Sequence, residues 1–390
     1  MSIAKDRTLL GVSVGHAAHD VWFGVAPVLL ASLSVTMGLA NSEIGFILLL
    51  YQLFSSLTQP LFGRLSERWG GRLFGVGAII WTTIMFSGVI LAPSKTLLAA
   101  FVALAGLGSG AWHPQGAVNA TVSGGRRWGA TAAAVFFLGG TLGTTFGSAA
   151  SGVLLSTFGR TSLLAISAVT VTVALVVVRP WIPVRLATAK KGDQPAAMTN
   201  GASGGAFWVL VAFLLIATAF RSLTYHSLNS YVPKYQQDMG ASPASYGVLM
   251  SLFLFATAIG GVMGSYVADR VGIRSVLAST MVVGGGLLYL FLHGEGLLSD
   301  AAFVLSGLII GPSHTLFVVA AQRQFPQRMA MISGLILGFT FVSGGGGAWI
   351  LGLAADRVGL GTALGVLPWL MLVAAACSLV AVPRTQMERG

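Results

Sequence analysis

Asp20 stands four residues after His16 and one after His19 in the run Gly15-His16-Ala17-Ala18-His19-Asp20. A separation of four brings His16 and Asp20 onto one helix face. An imidazole and a carboxylate there can exchange a proton. Asp20 is the one carboxylate set deep in an apolar stretch, because Glu43 lies near the end of its own. Such a group is suited to taking up and releasing a proton as its surroundings alternate, so Asp20, with His16 or His19, is the candidate proton carrier. The competing reading is a structural polar pair that locks this segment to a neighbour. The three residues are also metal ligands by type, but His at i and i+3 with Asp at i+4 is a weak metal pattern. No metal site is expected.

Arg221 keeps its charge at any ordinary pH and, within an apolar stretch, demands an anion, carbonyls or water. That anion is either a solute or Asp20. Tyr225, His226 and Asn229 follow Arg221 at spacings compatible with one helix stripe, and each offers hydrogen bonds. His113 precedes Pro114, and His314 follows Gly311-Pro312. Proline frees backbone groups and permits a kink that can shape a binding site. Arg221, His113, His226, Tyr225, Asn229 and His314 are therefore the candidate solute contacts. For the histidines the alternative is that they only satisfy the freed backbone. Trp112 and Phe23 are read as packing.

These residues sit in a chain of 390 residues that is 55% apolar and 8% charged, against roughly 25% charged in a soluble domain. The apolar residues come in long runs, such as Leu163 to Val178, that carry no charge. Roughly 20 such residues cross a bilayer as a helix, and irregular or open-sheet backbone cannot face lipid. The reading is an all-α membrane protein with twelve spans, near 8–34, 42–62, 73–92, 96–121, 129–156, 161–181, 206–232, 244–265, 274–292, 300–321, 329–353 and 361–382. The first is expected to be retained rather than cleaved. The polar, Gly- and Lys-bearing stretch 183–205 reads as a cytoplasmic linker between six-helix bundles at 1–182 and 206–382, with a cytoplasmic tail at 383–390. With only Cys377, no intramolecular disulfide is possible.

Lys and Arg set the expected orientation. With both termini cytoplasmic, Arg64, Arg68, Arg72, Arg126, Arg127, Lys190, Lys191, Arg270, Arg274, Arg323 and Arg328 all fall inside. Lys95, Arg160, Lys234 and Arg357 fall outside, and Arg221 lies within a span. The net charge of +11 thus reports membrane topology rather than a nucleic-acid partner. The titratable or charged residues well inside spans are His16, His19, Asp20, His113, Arg221, His226 and His314. They occupy spans one, four, seven and ten, the first helix of each three-helix unit. A charge at mid-bilayer costs at least a few kcal/mol, so this concentration is a functional signal.

The chain also repeats. Glu67, Arg68, Gly70 and Arg72 match Asp269, Arg270, Gly272 and Arg274 at an offset of 202 residues, and Gly106 and His113 match Gly307 and His314 at 201. Two homologous halves are the plan of many secondary transporters. The segment Gly63-Arg64-Leu65-Ser66-Glu67-Arg68-Trp69-Gly70-Gly71-Arg72 resembles the signature between helices two and three of the major facilitator superfamily, with Glu67 in place of the usual Asp. Within that superfamily, the runs Gly15 to Asp20, Gly108 to Gly116 and Gly139 to Ser148 resemble the fosmidomycin-resistance group of drug exporters. Ser148 stands where the antiporter motif of such exporters has proline.

The resemblance implies a major facilitator fold in a bacterial inner membrane, a functional monomer, and four cavity-lining helices that are spans one, four, seven and ten. It implies that Gly63, Arg64, Glu67, Arg68 and Arg72, with Asp269, Arg270 and Arg274, tie cytoplasmic helix ends through charge pairs that break as the halves rock. A polar chamber where the halves meet, holding Arg221, the histidines and one acid, favours an anionic or amphiphilic solute. The expected activity is proton-coupled efflux of such a compound by alternating access; the alternative is proton-coupled import of an organic anion, or of a metal or metal chelate. Enzyme chemistry is not expected, because His-Glu-x-x-His, a Gly-Lys-Ser phosphate loop and a paired intramembrane aspartate site are all missing from the sequence. No cofactor is expected. The stripe Gly139, Gly143 and Gly147 is read as a close-packing face, placed across the interface between the halves.

Overall fold

The computed structural model describes residues 6–184, 205–324 and 329–382. The expected tail at 383–390, and the expected linker at 183–205 apart from its ends, lie outside the described residues. Among the described residues, twelve helices are long and apolar enough to cross a membrane. They are α1 (Arg7–Met37), α2 (Asn41–Trp69), α3 (Gly71–Leu91), α4 (Lys95–Gly125), α5 (Thr131–Phe158), α6 (Arg160–Trp181), α7 (Trp208–Asp238), α8 (Pro243–Val271), α9 (Ile273–His293), α10 (Gly296–Gln324), α11 (Gly338–Val358) and α12 (Leu360–Ala381). Large apolar side chains point outward along them, with Leu57 74% and Val262 75% exposed. Water would not tolerate that surface; hydrocarbon does.

The helix ends follow from local chemistry. The Asp6 carboxylate accepts the Leu9 amide at 2.8 Å and caps α1. The Glu43 carboxylate accepts the Ala40 amide and also pairs with Lys95, each contact within 2.8 Å, which accounts for a charge near the end of α2. The segment from Gly63 to Trp69, read from sequence as a loop, is instead the last two turns of α2. Its counterpart from Ser265 likewise completes α8, to Val271. Arg, Leu, Ser and Glu sustain a helix once it leaves the hydrocarbon, and the break waits for Gly70 and Gly272. Their φ of 103° and 93° with ψ near 140° are open only to glycine. Left-handed glycines recur in register at Gly38 and Gly240 and at Gly159 and Gly359, so the sequence repeat is also a repeat of chain turns. α10 is interrupted at Gly311-Pro312, as the proline predicts.

The chain divides into two compact units, one comprising Met1–Gln194 and Val232–Ser251, the other Pro195–Tyr231 and Leu252–Gly390. In the first, α1 lies against α4 and α5 over a core that includes Val12, Trp112, Phe136 and Val178. Gly139, Gly143 and Gly147 sit directly on the Ser13, Ala17 and Val21 carbonyls of α1, where any Cβ would collide with backbone. The stripe therefore seats α5 on α1 inside one unit, and the expectation that it lies between the halves is corrected. In the second unit α11 approaches α7 in the same manner, Gly344 against the His226 ring and Gly347 against Leu223. Small residues serve close helix approach in both units.

Candidate functional site

In the first unit α1 presents His16, His19 and Asp20 to α4, and His113 comes to meet them. His16 Nε2 lies 3.1 Å from Asp20 Oδ2 and 3.3 Å from His113 Nε2. His113 Nε2 is 4.0 Å from Asp20 Oδ1. His19 Nδ1 is 2.8 Å from Asp20 Oδ1, and its Nε2 is 3.2 Å from the Thr82 hydroxyl of α3. Each remaining ring nitrogen faces a backbone carbonyl: His16 Nδ1–H donates to Phe136 O at 2.8 Å and His113 Nδ1–H to Ser109 O at 2.9 Å. The His16 and His19 side chains are 3% and 0% exposed, whereas Asp20 and His113 keep 19% and 27%, so the acid and one imidazole reach an open side of the cluster.

Packing holds these rings in place. Phe136 stacks on His16 at 4.0 Å between centroids, and Trp112 lies parallel to His19 at 6.1 Å. Trp112 is fully buried, in keeping with a packing role. Gly140 of α5 leaves the room: a Cβ there would come within 2.6 Å of His16 Nε2 and 2.8 Å of Asp20 Oδ2. Four expected site residues thus gather in one place, and His113, expected among solute contacts, sits with the acid. His16, Asp20 and His113 each offer a ligand atom, all within 4.8 Å of one another, which is the donor set available to a metal among the described residues.

The second unit gathers a cation. Arg221 of α7 is buried, donates from Nε to the Ser313 hydroxyl at 2.7 Å, and lies 5.0 Å from the centre of the Tyr225 ring. Its charge acts on His226 and on His314. His226 is buried between Tyr225, at 5.7 Å, and Phe341, at 6.0 Å. Asn229 is buried one turn further along α7. The Ser313 hydroxyl itself donates to the Ile310 carbonyl beside the α10 break, which orients its oxygen to accept from Arg221.

Among the candidate gating residues, Arg72 Nε donates to the Ile182 carbonyl at 2.7 Å, and Arg270 packs over the Tyr266 ring and bonds its hydroxyl. Gly63 faces Pro114 across an ordinary van der Waals gap. Arg64, Glu67, Arg68, Asp269 and Arg274 form no ion pair among the described residues. Sequence reasoning missed Phe136, Ser109, Thr82 and Ser313. A carbonyl partner leaves no mark in a sequence, and a lone hydroxyl on an apolar helix is common.

The profile of the Major Facilitator Superfamily matches residues 15–348 and, separately, 214–389. The chain belongs to this superfamily. It is accordingly a multi-pass membrane transporter of small solutes and not an enzyme. Superfamily members similar to it include the fosmidomycin resistance protein of Escherichia coli, 29% identical, with 92% of this chain and 90% of that one covered. A gentisate transporter of Corynebacterium glutamicum is 24% identical, over 77% of this chain and 72% of that one. Two solved structures share the fold: a bacterial homolog of the human lysosomal transporter Spinster (TM-score 0.77, 16% identity, 97% of each chain) and the nucleoside transporter NupG (TM-score 0.70, 17% identity, 98% of this chain and 99% of that one).

Proposed function

We propose that this protein is a secondary active transporter that exports a small anionic or amphiphilic compound in exchange for protons, by alternating access, as a monomer in a bacterial inner membrane with both termini cytoplasmic. The observation that carries the reading is the convergence of Asp20, His16, His19 and His113 in one partly open cluster, since a membrane helix does not maintain such groups without use. Asp20 with His16 or His19 supplies the proton carrier. Arg221, with Tyr225, His226, Asn229 and His314, supplies recognition of an anion, because a buried guanidinium bonded, among the described residues, to a single neutral hydroxyl retains free donors. Gly63, Arg64, Glu67, Arg68, Arg72, Asp269, Arg270 and Arg274 serve conformational change at the cytoplasmic ends.

The likeness to a fosmidomycin resistance protein supports export of a phosphonate-like anion. A second reading, proton-coupled uptake of an organic anion, is favoured by the likeness to a gentisate transporter. Proteoliposomes loaded with fosmidomycin or gentisate and given an imposed pH gradient test the proposal. Movement of one solute that follows the sign of the gradient is expected, and its direction separates the two readings. Transport of both that ignores the gradient would remove proton coupling.

A further inference from the structure

The hydrogen bonds of the first cluster account for each proton. A carbonyl oxygen only accepts, so His16 carries hydrogen on Nδ1 for Phe136 O; His113 Nδ1 faces the Ser109 carbonyl at 2.9 Å and the Ser109 hydroxyl at 3.2 Å, and the closer carbonyl assigns it a hydrogen as well. If both rings were neutral, each Nε2 would be a bare lone pair, and the two would face each other at 3.3 Å beside a carboxylate at 3.1 Å. Three acceptors do not converge at such distances without a shared cation. His19 differs. Its Nδ1–H can donate to Asp20 at 2.8 Å while its Nε2 accepts from the Thr82 hydroxyl at 3.2 Å, which satisfies a neutral ring in full.

We infer that one exchangeable proton occupies the junction of His16 Nε2, Asp20 Oδ2 and His113 Nε2, that His113 is the group through which it exchanges, and that His19 is a neutral positioning residue. The inference rests on the proton-coupled reading and deepens it, moving His113 into the proton site and His19 out of it. His16 is closed on its other side by Phe136 and is 3% exposed, whereas the His113 side chain is 27% exposed. The proton passes from His16 Nε2 to His113 Nε2 and from there to water, and the cluster goes from neutral to a net charge of minus one. Once the proton has left, His16 Nε2 and Asp20 Oδ2 are two acceptors at 3.1 Å. That contact must open, which ties the proton to movement of α1 against α4.

The titratable groups that face the junction among the described residues are His16, His19 and Asp20 from α1, Tyr51 from α2 and His113 from α4. The Tyr51 side chain neighbours Asp20 and the Ser109 side chain. From α3 the neighbour is Thr82, and from α5 it is the Phe136 carbonyl with Gly140.

The test is nitrogen-15 NMR of the full-length protein, labelled at histidine and titrated with pH in lipid nanodiscs, with assignment by single substitution. His16 and His113 are expected to shift together in one step, coupled through the shared proton, while His19 holds one neutral tautomer across it. His19→Gln, which keeps a donor for Asp20 and an acceptor for Thr82, preserves the joint step; Asp20→Asn abolishes it. Titration of His19 within that step, independent steps for His16 and His113, or a spectrum altered by EDTA overturns the inference, the last by placing a metal at the junction. If Asp20→Asn fails to fold, the wild-type and His19→Gln spectra decide alone. No solute is needed, so a joint step alongside transport of fosmidomycin and gentisate that ignores the gradient would refute proton-coupled transport and leave the junction standing.

Discussion

The residues that matter here are few, and each is costly in a membrane. Among the described residues Arg221 gives up water for one hydroxyl and one ring face, so it retains donors for the anion proposed as its solute. Arg221→Ala is expected to weaken binding of the transported anion by about 10- to 100-fold, the loss of one charge-assisted hydrogen bond at roughly 1.5–3 kcal/mol; isothermal titration with that solute measures it, and unchanged affinity would assign Arg221 a structural part. The types and spacings of these residues were legible in the sequence, down to His16 and Asp20 sharing a face. That His113 joins them was not, because its approach depends on how α4 packs against α1, and helix packing has no local code. The carbonyls of Phe136 and Ser109, which fix the ring orientations, are invisible for the same reason: every residue has one.

At the scale of elements, hydropathy alone located the twelve spans, since lipid demands unbroken apolar helices. The ends of α2 and α8 were misjudged. Gly63 to Trp69 loses its apolar character, which reads as a loop, yet α2 continues to Gly70 because helix propensity does not end where the hydrocarbon does. At Gly70, with φ 103° and ψ 141°, alanine should cost about 1–3 kcal/mol, seen as a lower unfolding temperature in detergent; Gly63→Ala, inside the helix, should not lower it. The glycine stripe was recognised as a packing face but assigned to the wrong neighbour, because small residues announce a close approach without naming the partner. Gly143→Leu would drive a side chain into the Ala17 backbone, and overpacking of this kind costs about 1–3 kcal/mol or more. Loss of folded protein is expected, and wild-type yield and melting would refute the seating of α5 on α1.

At the scale of the whole molecule, the repeat at an offset near 202 and the paired left-handed glycines describe a duplicated six-helix unit in a superfamily of transporters. The basic residues on one side predict orientation. With the buried Cys377 replaced by serine, a cysteine introduced at Gly390 should react with an impermeant maleimide only after the cytoplasmic face is opened, whereas one at Lys95 should react in intact cells. Labelling in the reverse pattern would invert the topology. The account depends most on Asp20 as part of a proton site. Purified protein with Asp20→Asn, in proteoliposomes, should exchange labelled for unlabelled solute at close to the wild-type rate, yet fail to move it in response to an imposed pH gradient. Gradient-driven transport at the wild-type rate in that variant would contradict the account.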